Sequence, residues 1–152
     1  MAVGHRRILI AVDGSDDADQ VLEAATELFP KGDDSFQVVT VVQPIMDGMT
    51  GMGGASFASS WPLGDMENTI RKEITDSVRE RVARFGIPPE RVAVRYGRPA
   101  MEIHAYADEI DADLIVVGSH GRHGLARVML GATANGVLHG ARCDVLTVHI
   151  KD

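Results

Sequence analysis

Residues 113–133, DLIVVGSHGRHGLARVMLGAT, restrict the possible folds more than any other stretch. Leu114 to Gly118 form a mostly apolar, β-prone run that ends among Gly118, Gly121 and Gly124, and an amphipathic segment starting near Leu125 reaches Gly131. This is a strand feeding a glycine-rich turn and then a helix. Glycine admits positive φ and a close ligand, while the first helical turn offers unpaired N–H groups to an anion. A phosphate-bearing ligand is the first functional expectation. Spacing alone is weak support for it, because any α/β domain needs tight turns at this point.

The first strand is expected over residues 7–12, RILIAV, and is followed at once by Asp13, Gly14, Ser15 and Asp16. Ser15 or Asp16 is placed to cap a helix whose inward face is Ala18, Val21, Leu22, Ala25, Leu28 and Phe29. Asp13 falls where open parallel sheets bind ligands, and an ordinary turn or capping role explains it equally well. Residues 36–42, FQVVTVV, read as a second buried strand.

Residues 43–64, rich in Gly, Ser and Met, carry no helix or strand period and are expected to be a flexible loop. Met46, Met49, Met52, Phe57 and Trp61 would cover a cofactor, pack on a partner subunit or tether the loop to the domain. A helix is expected over 65–85, with Ile70, Ile74, Val78, Val82 and Phe85 inward. Arg71, Lys72, Glu73, Asp76, Arg79, Glu80, Arg81 and Arg84 would form its solvated surface.

A more exposed strand, toward a sheet edge, follows over 91–96. A helix then opens near Pro99, with Ala100, Ile103, Ala107 and Ile110 inward. Asp108, Glu109, Asp111 and Asp113 read as a solvated turn rather than a metal cluster. The helix after Gly124 is expected to run to about His139, burying Leu125, Val128, Met129 and Ala132, before a last strand over 144–150.

The order β-α-β-loop-α-β-α-β-α-β gives every interval a crossover long enough for parallel strands, hence a single doubly wound domain over residues 1–152. The ends of the first and fourth strands then meet at the switch point, bringing Asp13 near Gly118. The last strand leaves an edge that a second copy can cover.

The net charge of −7 argues against a general nucleic-acid or membrane-surface binder. Cys143, the single cysteine, permits no intrachain disulfide and reads as a structural thiol. The first apolar run is too short for a signal peptide or a span, so a cytoplasmic location without membrane insertion is expected. His120 and His123 sit in the glycine loop without an evident third ligand, whereas His104, His139 and His149 read as separate surface residues. Neither GxSxG nor GxxxxGK[ST] occurs, and no dedicated catalytic base is identifiable.

Over essentially its full length the chain resembles the universal stress protein family, in its nucleotide-binding branch. The resemblance rests on ILIAVDGSDDA, the segment Gly97-Arg98-Pro99-Ala100, DADLIVVGSHGR and VLHGARCDVLTVHI. The family motif is glycine, two residues, glycine, nine residues, glycine, then serine or threonine. Here Gly118, Gly121 and Gly131 fill its glycines, and Ala132 departs from it.

The resemblance implies a three-layer α/β sandwich with a five-stranded parallel sheet in the order 3-2-1-4-5. It also implies a homodimer through the final strand, an ATP-binding regulatory role toward a protein partner, and stress response. Asp13 would lie beside the ribose and any Mg²⁺, and Val12 and Val41 would approach the base. Val117 and Gly118 would sit beneath the nucleotide, with Gly121, Arg122 and Gly131 around the phosphates and Thr133 just beyond. Ala132 removes a hydroxyl donor, a loss of about 1 to 3 kcal/mol unless Thr133 or Arg122 replaces it. The alternatives are a structural or signalling dimer that binds no nucleotide and, third, a slow ATPase.

Overall fold

The computed structural model describes residues 6–29, 35–43, 63–119 and 131–151. Five parallel strands lie in the order β3-β2-β1-β4-β5. They are β1 (Arg7–Ala11), β2 (Ser35–Val42), β3 (Val92–Tyr96), β4 (Leu114–Gly118) and β5 (Asp144–Val148). The helices are α1 (Asp17–Leu28), α2 (Leu63–Arg84), α3 (Pro99–Glu109) and α4 (Ala132–Leu138), with a short 3-10 turn at Pro89–Arg91. The doubly wound α/β sandwich expected from the element order is the observed fold. The expected loop lies outside the described residues from 44 to 62, and α2 starts at its last expected positions.

The uniform apolarity of β1 reflects its place between β2 and β4, where Ile8, Leu9 and Ile10 are fully buried. Ile8, Ile10 and Val12 pack with Val21, Leu22, Val78 and Val82 of α1 and α2. Leu9 and Ala11 face Ile103, Ala107, Ala134 and Val137 of α3 and α4. Period-two alternation in β1 therefore serves two cores, one on each face. β3 and β5 are the edges.

Several inward positions differ from expectation. Leu28 is 58% exposed, because the helix ends there and Phe29, in extended backbone, packs on the core instead. Ile70 is also exposed, since a helix of 22 residues is about 33 Å long and outruns a five-residue strand of about 17 Å. Arg81 is buried rather than solvated. A continuous helix through Gly131 does not form: Gly131 is extended, α4 starts after it, and Ala132 is exposed while Ala134 and Val137 turn inward. Residues 120–130, including Leu125, Val128 and Met129, lie outside the described residues.

α3 and α4 pack so closely that a Cβ on Gly136 would stand 2.7 Å from the Cβ of Ala100. Gly136→Ala must push the helices apart and should lower stability by about 1 to 3 kcal/mol. Urea unfolding checks this, and adding Ala100→Gly should recover part of the loss; an unchanged midpoint in Gly136→Ala would refute the tight crossing.

Candidate functional site

The strand register builds a step at the carboxyl end of the sheet. Ala11, the last residue of β1, pairs with Val39 on one side and Val117 on the other. β2 continues three residues further to Val42, which pairs with Tyr96 at the end of β3. Strands rise about 3.3 Å per residue, so the β2–β3 pair stands about 10 Å above a floor formed by the ends of β1 and β4. Val12 is tied to that wall through its N–H, donated to the Val39 carbonyl at 3.0 Å.

On the floor, Asp13 follows β1 and closes a tight turn. Its Oδ1 accepts from the Ser15 amide at 2.9 Å and from the Ser15 hydroxyl. The turn role is thus observed, and among the described residues no group bonds Oδ2. Capping of α1 differs from expectation: Asp16 occupies the N-cap without a side-chain cap bond, and Ser15 turns back to Asp13. The first turn is closed by backbone instead, Ala18 to the Ser15 carbonyl and Asp19 to the Asp16 carbonyl.

Val12 and Val117 are buried with their side chains in the two cores, so at this surface they offer backbone only. Val41, on the protruding part of β2, is half-buried. A Cβ on Gly118 would lie 3.1 Å from Val21 Cγ2 and 3.2 Å from Ile150 Cδ1, so core packing by itself already favours a small residue at that position.

Ser119 joins β4 to the other half of the site. Its N–H donates to the Val148 carbonyl at 2.8 Å, its hydroxyl accepts from the Ile150 amide at 3.0 Å, and its carbonyl accepts from the Gly131 amide. Gly131 is thereby drawn to the strand end beside Gly118, with Ala132 and Thr133 opening α4. Gly121 and Arg122, like His120, His123 and Gly124, lie outside the described residues. Sequence reasoning missed Ser119; its place directly after the strand glycine was the available signal.

It also missed Arg81, whose guanidinium reaches Asp16 at 3.3 Å and Asp19 at 3.0 Å in the first turn of α1. Burial lowers its pKa, but hydrogen bonding and charge from Asp19 and Asp16 outweigh that and leave it above the ordinary value. At the top of the wall Arg71 lies over the Tyr96 ring, 5.8 Å from its centroid. Burial, with the Glu67 charge second, raises the Tyr96 pKa against the opposing influence of Arg71.

The opposite end of the sheet is separate chemistry. The four carboxylates meet different basic or backbone partners: Asp108 faces Arg142 at 3.8 Å, Glu109 faces Arg95 at 2.9 Å, Asp111 faces Arg7 at 3.6 Å, and Asp113 accepts the Arg7 amide at 2.8 Å. Among the described residues no group of three or more His, Cys, Asp and Glu is arranged to hold a metal. His104 is not a free surface histidine: its Nε2–H donates to the Val137 carbonyl at 2.8 Å, joining α3 to α4. Beside it, at the amino ends of β4 and β5, lies a cavity of about 320 Å³ lined by His104, Asp108, Asp111, Arg142 and Cys143, away from the predicted ligand end.

A model described as the universal stress protein family matches residues 4–149. Universal stress protein A homolog 2 of Coxiella burnetii is 33% identical over 148 residues, 97% of each chain. The universal stress protein UspA structure from Lactobacillus plantarum superposes with a TM-score of 0.76 at 23% identity, covering 96% of this chain and 99% of the other. A universal stress protein solved in complex with cAMP superposes with a TM-score of 0.58 at 24% identity, covering 96% of this chain and 98% of that one. Among the described residues no helix is long and apolar enough to cross a membrane.

Burial raises the Cys143 thiol pKa, and the charges of Asp144, Asp108 and Asp113 raise it further. A raised native pKa favours the protonated thiol, so this contribution to stability is complete below the unfolded pKa of about 8.5 and is lost as pH rises through the native value. Stability should therefore fall more steeply as pH rises above about 8.5 in the native sequence than in Cys143→Ala. Urea unfolding at increasing pH checks it, and parallel curves would refute it.

Proposed function

The chain belongs to the universal stress protein family, and within it we propose an ATP-binding regulatory protein whose nucleotide state changes a partner surface. The nucleotide would lie on the floor formed by β1 and β4, against the wall formed by β2 and β3. The observation that carries this reading is the placement, at the carboxyl ends of the adjacent strands β1 and β4, of Asp13, with Oδ2 unbonded among the described residues, and Gly131, the last glycine of the motif. The relative in complex with cAMP supports an adenine nucleotide as the ligand class.

Val41 stands on the side of the wall suited to an apolar base, and Val12 and Val117 would contribute backbone. Asp13 would hold a ribose hydroxyl or, through Oδ2, an Mg²⁺ that keeps its other positions for water and phosphate oxygens. One open carboxylate oxygen fits that demand. Mg²⁺ would supply charge neutralisation of the phosphates. Gly118, Gly121, Arg122 and Gly131 would surround the phosphates. The hydroxyl of half-buried Thr133, which makes no hydrogen bond among the described residues, is the nearest in sequence to the missing one at Ala132.

We further propose a homodimer through residues 144–150, because β5 is an edge strand whose outer side has no strand partner among the described residues. Sedimentation should then give twice the chain mass. Loss of that mass on replacing Thr147 with proline, which breaks strand pairing, would assign the interface, and a monomeric native chain would reject it.

Calorimetric titration of nucleotide-stripped protein with ATP, ADP, AMP and cAMP, with and without Mg²⁺, tests the nucleotide reading. Saturable ATP binding near one per chain is expected, strengthened by Mg²⁺ and weakened about tenfold or more by Asp13→Ala. Ala132→Ser should tighten ATP binding by about 1 kcal/mol, close to fivefold, by restoring a donor. No binding at millimolar nucleotide by folded protein would reject the reading in favour of the structural or signalling dimer. ATP turnover proportional to protein and abolished by Asp13→Ala would favour the slow ATPase.

A further inference from the structure

Among the described residues Arg81 is the one buried charged residue, 9% exposed. It extends between two anchors of different kinds. Its neighbours Val78 and Val82 are fully buried and packed in the core that contains Val12, which fixes this part of α2. Its guanidinium leaves that core for the first turn of α1, with Nη2 donating to Asp16 Oδ1 at 3.3 Å and Nη1 at 3.0 Å from Asp19 Oδ1.

Stability does not account for this choice of residue. Nε is buried without a hydrogen-bond partner among the described residues, so the side chain loses hydration that it does not fully replace. The buried partner is the arginine alone, since Asp16 is fully exposed and Asp19 partly so. A cation buried in this way is often matched in stability by an apolar residue of similar volume, its attested use being to fix one geometry. The geometry fixed here is local. Asp16 is the N-cap of α1, yet its carboxylate goes to Arg81 and makes no cap bond. Asp16 also directly follows Ser15, whose amide and hydroxyl hold the Asp13 carboxylate.

The geometry points to Arg81 as a positioning residue for the candidate nucleotide site, acting through Asp16 and Asp19 on the turn that presents Asp13. It contacts no ligand itself. The inference rests on the nucleotide reading above for its functional meaning, and the hold on the turn can be measured without nucleotide.

The test compares the native chain with Arg81→Met, which keeps the volume, and Arg81→Lys, which keeps the charge but loses the fork. Leu114→Ala, in β4 at the other end of the sheet, is the destabilised control. Hydrogen exchange of the Ser15 amide is read first, in ligand-free full-length protein. Relative to global unfolding it should quicken about tenfold in Arg81→Met, less in Arg81→Lys, and not in Leu114→Ala. Mg²⁺-ATP titration is read second, and Arg81→Met should weaken binding about tenfold while Leu114→Ala leaves it unchanged.

Asp16→Ala, at a fully exposed carboxylate, serves the same comparison if Arg81→Met does not fold. Unchanged Ser15 exchange would overturn the proposal, and so would faster exchange with unaltered nucleotide affinity. If the native chain binds no nucleotide, the function proposed above fails, and quickened Ser15 exchange would still support the hold of Arg81 on the turn.

Discussion

In a parallel sheet each strand enters from the same end, and here that constraint is imposed at β1, paired along its length with β2 and along most of it with β4. Burial on both faces leaves no freedom to slip, because a shift of one residue would exchange Ile8 and Ile10 with Leu9 and Ala11 between two differently shaped cores. With β1 fixed, the turn after it and the turn after β4 must emerge side by side. The longer reach of β2 and β3 then converts a sheet edge into a floor with one raised wall. The candidate site follows from register before any functional side chain is considered.

The glycines of this chain have more than one physical cause. Gly118 lies in the motif that resembles a phosphate loop, but the close approach of Val21 and Ile150 already favours a small residue there. Gly136 serves the crossing of α3 and α4. Gly97 has φ of 145° and would bring a Cβ to 3.0 Å from Glu102, the residue that pairs with Arg95 of β3. A glycine at a strand end is therefore weak evidence for a ligand. Gly131 differs, because its amide is bonded to the Ser119 carbonyl and so ties the start of α4 to the end of β4.

Much of this was legible because strand burial writes itself into composition: β1, β2 and β4 are apolar runs, and β3 alternates as an edge strand should. The inward stripe of α3 was equally plain, with Ile103 and Ala107 buried as expected. What escaped were polar residues with long-range partners. Arg81 was assigned to solvent by its charge, although at 100° per residue it falls between Ile70 and Ile74 of the apolar stripe on a helical wheel. That placement was a readable sign of a buried cation, but Asp16 and Asp19 could not be named as its partners from a helix 65 residues away. His104 was misread for the same reason, its acceptor being a carbonyl on another helix. The break at Gly131 was hidden because apolar spacing continued through it. A backbone bond to Ser119 overrode that spacing.

The charge distribution gives the two ends of the sheet different capacities. At the amino end Arg7 faces Asp111 and Arg142 faces Asp108, so the charge around the cavity there is largely compensated. At the carboxyl end Arg81 is already committed to Asp16 and Asp19, while Arg71 lies over Tyr96 at the wall top. The described floor itself presents Asp13, an acid, in a chain of net charge −7. A polyphosphate approaching that floor meets repulsion at long range, which backbone N–H groups relieve only on contact. A divalent cation bound with the phosphates removes most of that repulsion and gives the open Asp13 oxygen an attractive partner. An aspartate on the floor of a phosphate site is unfavourable for the bare anion and favourable for its Mg²⁺ complex, so under the proposed nucleotide reading this residue would make the metal part of the recognition rather than an accessory to it.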